Sequence, residues 1–131
     1  MVRLASGLAA VATAGLLWPT GEQVRVIEVD IEHSAFEPAR ITVERGEKVR
    51  FVVRNYDPID HEFLIGDEQT QEIHEKGTET YHGDRPGELS IAAQEVAETT
   101  YVFTQETDLI FGCHLPSHYD YGMRGEIIVE E

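Results

Sequence analysis

The stretch 111-FGCHLPSHYDYGMRG-125 contains the single cysteine of the chain, and its reading decides the rest. Cys113 is followed by His118 and then by Met123, each separated from the last by four residues. The apolar run Leu109 to Cys113 ahead of them and Glu126 to Val129 behind them have the character of short strands, with Gly125 opening the second. The three side chains therefore belong to one loop between two strand ends and can be folded around one point. A lone cysteine is most often a small buried hydrophobe, and this spacing is what speaks against that reading here.

A thiolate, an imidazole and a thioether together form a soft ligand set that suits copper, above all where one site has to serve both Cu(I) and Cu(II). Zinc sites are built from thiolate, imidazole and carboxylate and seldom recruit methionine. A trigonal plane of two histidines and one cysteine with a weak axial methionine still needs a second histidine. His61 is the first candidate, because it follows the turn Asp57-Pro58-Ile59-Asp60 and opens a strand whose end can lie beside the loop. His33, His74 and His82 are the substitutes.

Outward from the loop the pattern is one of short strands. From Gln23 the residues alternate, with Ile27, Val29 and Ile31 on one face. Ile41 to Val43 is short and β-branched, Gly46-Glu47-Lys48 marks a turn, and Val49 to Val53 reads as a buried strand ended by Asn55-Tyr56-Asp57-Pro58. His61 to Ile65 follows, closed by Gly66-Asp67. Further strands are expected at Glu88 to Ala92 and Thr99 to Thr104. The polar segment 67-DEQTQEIHEKGTET-80 fits one short surface helix stopped by Gly77. About eight strands with turn signals every 8–12 residues predict an all-β sandwich or barrel.

At this point the chain resembles the cupredoxins, the small blue-copper family that includes plastocyanin, azurin and pseudoazurin. The C-x4-H-x4-M run with Gly125 and a final strand is similar to that family's ligand loop. Phe36-Glu37-Pro38-Ala39-Arg40-Ile41-Thr42-Val43 with Gly46 and Val49-Arg50-Phe51 resembles its early strands, and His61-Glu62-Phe63 the stretch with its first histidine. The resemblance spans about residues 23 to 130 and implies a Greek-key β-sandwich. It implies one type 1 copper per chain, with His61 and His118 as imidazole ligands, Cys113 as the thiolate and Met123 as the axial ligand. One departure stands out. Many relatives have Asn or Ser after the first histidine, where the side chain ties the two ligand segments together, and here the residue is Glu62.

Other residues near the motif are read more plainly. His114 is expected to point away from the metal, as a surface or supporting residue, since side chains alternate along an extended segment. Tyr119 and Tyr121 are expected to pack around the site or face solvent. His74 and His82 lie among Glu72, Glu75, Glu79 and Asp84, which reads as a solvated acidic face.

The chain has 131 residues, enough for one domain with a real core. Its formal charge of −15 argues against nucleic-acid binding and against docking on anionic lipid. With a single cysteine there is no internal disulfide. Arg3 followed by 4-LASGLAAVATAGLLW-18 reads as a signal peptide or an N-terminal membrane anchor over residues 1–20, with the cupredoxin domain at 21–131. The protein is therefore expected outside the cytoplasm: periplasmic, at the cell surface or secreted.

The expected function is one-electron transfer rather than enzymatic catalysis. The expected partner is a redox protein with a basic patch, steered by acids of which many lie in 67-DEQTQEIHEKGTE-79, and the protein is expected to act as a monomer. Two further readings use the same ligands. One is an exported copper carrier or sequestering protein. The other is an accessory electron-transfer module of a copper enzyme complex, which would involve His114.

Overall fold

The structure, a computed structural model, describes residues 21, 23–77 and 84–131. The leader expected at 1–20 and the substitute ligand His82 lie outside the described residues. Strand β1 (Arg25–Glu32) buries Ile27, Val29 and Ile31 and turns the intervening residues outward, as its alternation requires. It is followed by β2 (Ala35–Glu37), β3 (Arg40–Glu44), β4 (Lys48–Asn55) and β5 (His61–Gly66). Helix α1 (Glu68–Glu75) then precedes β6 (Glu88–Ile91), β7 (Val96–Val102), β8 (Leu109–Gly112) and β9 (Arg124–Glu130). Among the described residues no helix is long and apolar enough to cross a membrane.

The strands form two sheets, ordered β2-β1-β4-β7 and β3-β9-β8-β5-β6. Neighbours in a sheet are often distant in sequence, the crossover pattern of a Greek-key sandwich. Two pairings, β1 with β4 and β3 with β9, are parallel, so both sheets are mixed. All five phenylalanines fill the space between the sheets. Phe36 meets Phe63 and Phe111 edge-on at centroid distances of 5.8 and 5.2 Å, and Phe51 lies against Phe63 and Phe103 at 5.5 and 6.2 Å. Each such pair contributes about 0.5–1.5 kcal/mol beyond the area it buries. Gly125 is required by this packing: a Cβ there would stand 2.1 Å from Phe111 Cζ and 2.7 Å from the Ala39 carbonyl oxygen.

Besides strand ends that run one or two residues longer or shorter than read, the structure departs from the sequence reading at β2 and β7. β2 was not expected. It is only three residues long, too short for a period-two signal, and it exists because His33 and Ser34 turn the chain back with φ of 53° and 55°. β7 begins at Val96 rather than Thr99 and ends at Val102 rather than Thr104, because its register against β4 runs from Arg54–Val96 to Lys48–Val102. The expected short helix is present as α1. The Asp67 carboxylate caps it by accepting the Thr70 N–H at 2.8 Å, and Gly77 follows its end at φ 65°.

Helix α1 lies against the outer side of β5 and β8. Gln71, which is buried, donates from Nε2 to the carbonyls of Leu64 (3.1 Å) and Ile110 (3.0 Å). The β1–β2 turn, the β4–β5 and β6–β7 connections and the loop 113–123 gather at one end of the sandwich, where Ile31 pairs with Asn55, His61 with Ile91 and Gly112 with Arg124.

Candidate metal centre

Two segments remote in sequence supply this end of the sandwich. The first is the start of β5. Asn55, at the end of β4, is buried, and its amide donates to the Ile59 carbonyl at 2.7 Å and the Ala92 carbonyl at 3.1 Å, while its Oδ1 accepts the Asp57 N–H at 3.0 Å. The turn 56–60 is thereby locked, and His61 enters β5 opposite Ile91 with only 1% of its surface exposed. Its Nε2 lies 2.8 Å from Asp57 Oδ2. A carboxylate there accepts the Nε2 proton, which leaves the Nδ1 lone pair free to face the site. Burial by itself raises the Asp57 carboxyl, but hydrogen bonds from the Ser34 N–H, the His61 ring and the His33 N–H hold it below the usual aspartate range.

The second segment is the loop between β8 and β9. Cys113 leaves the ladder, but its N–H donates to the Met123 carbonyl at 3.1 Å, and the Met123 N–H donates to the His118 carbonyl at 3.0 Å. Backbone bonds thus tie all three loop residues together. The Tyr121 N–H bonds to the Ser117 carbonyl at 3.1 Å, and Ser117 itself has φ 71°, which closes the loop into a compact turn. Cys113 and Met123 are fully buried and belong to the hydrophobic core, whereas His118 is half-buried beside the exposed Pro116 and Ser117.

The two segments meet at the thiol. Cys113 Sγ lies 3.9 Å from His61 Nδ1 and 3.4 Å from His118 Nδ1, and the rings are 5.1 Å apart between centroids. The donor atoms of the three residues all fall within 4.8 Å of one another, and among the described residues no other group of His, Cys, Asp and Glu is arranged this way. Bonds of about 2.0–2.3 Å from one ion at tetrahedral to trigonal angles place their outer ends about 3.5–3.8 Å apart, which matches this spacing. The Glu62 N–H points at Sγ from 3.3 Å. Burial pushes the Cys113 thiol up, against the Glu62 and Leu115 N–H groups, and the charges of Glu62 and Glu75 push it further. The two N–H groups at the buried sulfur favour a thiolate, and the imidazole nitrogens beside it can share a cation with it.

The substitutes for His61 lie elsewhere. His33 is exposed on the β1–β2 turn. His74 sits on α1 with its Nε2 3.3 Å from Glu62 Oε2 and its Nδ1 3.9 Å from Glu88 Oε1. It is buried, which corrects the expectation of a solvated face: α1 turns it inward with Gln71, three residues before it, against the sheet. Glu62 compensates for the missing Asn or Ser. Its Oε2 accepts the His114 N–H at 3.3 Å and so ties β5 to the ligand loop. His114 points away from the thiol, as alternation predicts, yet its side chain is only 1% exposed. It bridges to Glu75 through Nδ1 and to Gln71 Oε1 through Nε2 (2.6 Å), and stacks on Tyr119 at 4.5 Å. Gly112 leaves room for this: a Cβ there would stand 2.7 Å from the Tyr119 ring. Tyr121 faces solvent.

Sequence reasoning missed Asn55 and Asp57 as supports of the site. Both were read as turn residues, and only their burial distinguishes them. The signal within reach was the position of Asp57, four residues ahead of the candidate histidine.

Comparison with known proteins agrees with this architecture. The family profile described as "Cupredoxin-like domain" matches residues 5–108, ending just ahead of the ligand loop. A copper-resistant cuproprotein CopI of Rubrivivax gelatinosus is 37% identical over 110 residues, covering 81% of this chain and 65% of the relative. The chain thus spans just under two thirds of that relative's length. A protein of the same description from Pseudomonas aeruginosa is 30% identical over 138 residues, covering 81% of this chain and 76% of its own. Among solved structures, auracyanin B superposes with a TM-score of 0.68 at 18% identity, over 82% of this chain and 89% of that one, a likeness of fold.

Proposed function

The chain belongs to the cupredoxin-like family, and on that premise we propose that it binds one copper ion per chain in a type 1 site formed by His61, Cys113, His118 and Met123, and serves one-electron transfer. The observation that supports this most directly is the convergence of two imidazole Nδ1 atoms on a buried cysteine sulfur. One cysteine with two histidines and a buried methionine on the same loop is a donor set for copper rather than for zinc. When bound, copper supplies a centre that accepts and releases a single electron. The protein's part is to hold the donors still. Cys113 and Met123 are fixed by the core, His61 by β5 and Asp57, and the loop by its own backbone bonds. His118 is the half-buried ring of the set and the natural side for a partner's approach.

A second reading is supported by the relatives, which are described as copper-resistant cuproproteins: the same ligands used to sequester or hand over copper outside the cytoplasm. The experiment that tests both is copper loading of the purified chain, with metal content and visible spectrum measured together, followed by challenge with a Cu(I) chelator. An intense thiolate-to-copper band at one copper per chain is expected. Retention of copper through cycles of oxidation and reduction favours electron transfer, and ready loss of Cu(I) to the chelator favours the carrier. A colourless protein with bound zinc would overturn both.

The partner we propose is a redox protein with a basic patch, met by the acids of the α1 segment, where Glu68, Glu72, Glu75 and Asp120 outnumber Lys76 and Arg124 in a groove beside the ligand loop. A reaction rate that falls steeply with added salt is expected in stopped-flow reduction by a basic redox protein. A rate indifferent to salt would exclude steering.

A further inference from the structure

Asp57 is a buried carboxylate that contacts the ligand set without belonging to it. Its Oδ1 accepts the His33 N–H at 2.7 Å, and its Oδ2 accepts both the Ser34 N–H at 2.8 Å and the proton on His61 Nε2 at 2.8 Å. The donors come from a turn that two non-glycine residues hold at positive φ, a conformation that costs energy unless its N–H groups are engaged. The carboxylate thus joins the β1–β2 turn to the far nitrogen of His61. Any acceptor would select the tautomer that leaves Nδ1 free. A carboxylate does more, because its charge reaches the ring through a short hydrogen bond in a place with little water.

Resting on the assignment of His61 as a copper ligand, we propose that Asp57 is a positioning residue of the metal centre: it fixes the Nδ1-ligating tautomer of His61, and its charge biases the site toward Cu(II) over Cu(I). The direction follows from Coulomb's law, since an anion stabilises the more highly charged oxidation state more.

Asp57→Asn in the copper-loaded full chain tests this. The amide keeps the size and an acceptor oxygen for His61 but removes the charge. Copper content should stay at one per chain while the preference for Cu(II) over Cu(I) falls about tenfold. For a one-electron couple that is an upward shift of about 59 mV in voltammetry. An unchanged potential at full copper content overturns the proposal. If the amide disrupts the turn, the parent protein still tests the tautomer on which the proposal depends. In NMR of its diamagnetic Cu(I) form, His61 should retain a slowly exchanging, downfield Nε2 proton, and a proton on Nδ1 or rapid exchange at Nε2 overturns the proposal. Failure of the underlying site assignment would look different: His61→Gly would keep the parent's spectrum unchanged, and the inference about Asp57 would fall with it.

Discussion

The two halves of the candidate site are built in opposite ways. The loop half carries its donors close together in sequence, and its backbone bonds run within itself, from Cys113 to Met123 and from Met123 to His118. The β5 half offers one donor, His61, and holds it with side chains: Asn55 on the turn carbonyls and Asp57 on the ring. One half is a local object pressed into the core. The other is a non-local object that exists only when β1, β4, β5 and β6 are all in place. The difference teaches that the same site can fail by losing a ligand or by losing the frame behind one, and the two failures have different signatures.

Cys113→Ser attacks the loop half and should have the largest effect. The intense visible band of the copper-loaded protein should vanish, because a hydroxyl does not replace the thiolate in charge transfer or in affinity for Cu(I). Circular dichroism should still report the β-sandwich, since the residue is buried but small. Asn55→Ala attacks the other half. It leaves the buried Ile91 carbonyl, the partly buried Ile59 and Ala92 carbonyls and the Asp57 N–H without their partner, at a cost of about 2–3 kcal/mol, and should lower the thermal midpoint by about 10 °C while the loop residues remain in place. A midpoint unchanged in that variant would mean that the frame of His61 does not depend on the amide.

Met123→Leu nearly conserves volume in the core, so its stability cost should stay below about 1.5 kcal/mol. Its effect should be on the reduction potential, which rises because a hydrocarbon stabilises Cu(II) less than a thioether does. No change in voltammetry would remove Met123 from the ligand set. Asp67→Ala should have the smallest effect. It removes the α1 cap and loosens the Gln71 and Glu75 contacts that brace His114, for about 1 kcal/mol in chemical denaturation. The Thr70 backbone N–H, followed by its side chain, holds the Asp67 carboxyl below its ordinary value. Its contribution is therefore present above the ordinary aspartate value of about 3.9 and is lost as pH falls through the lower folded value. The difference between parent and variant should disappear in acid.

The same contrast explains what could be read in the sequence. The fold was legible because Ile27, Val29 and Ile31 alternate and Val49 to Val53 stand between turn signals, and these are local patterns that burial enforces. That Cys113, His118 and Met123 share one loop between two strand ends was legible for the same reason, as one spacing in the sequence. His61 was the first candidate because it follows a turn and opens a strand and because His61-Glu62-Phe63 resembles the family's stretch, but no spacing ties it to the loop, and the burial of His74 against β5 and β6 is decided by the packing of α1. Asp57 and Asn55 look like ordinary turn residues. Several of their partners, Ser34, His33 and Ala92, lie more than twenty residues away, and no periodicity encodes such pairings. β2 was missed because a side chain from another turn helps to make it.

The parallel pairing of β3 with β9 has a consequence in time rather than in space. β9 lies between β3 and β8, and the ligand loop is the link from β8 into β9. A chain emerging in order from its N-terminus can lay down β1 to β8 and still lack the strand that closes the second sheet. Until β9 has paired with β8 the loop has one anchored end, and until β9 slots in beside β3, across most of the chain's length, the second sheet is open. Contacts of such long range make assembly slow. The strand that closes the second sheet thus also fixes the far end of the loop that holds Cys113, His118 and Met123, so the sheet and the candidate site are completed by one element.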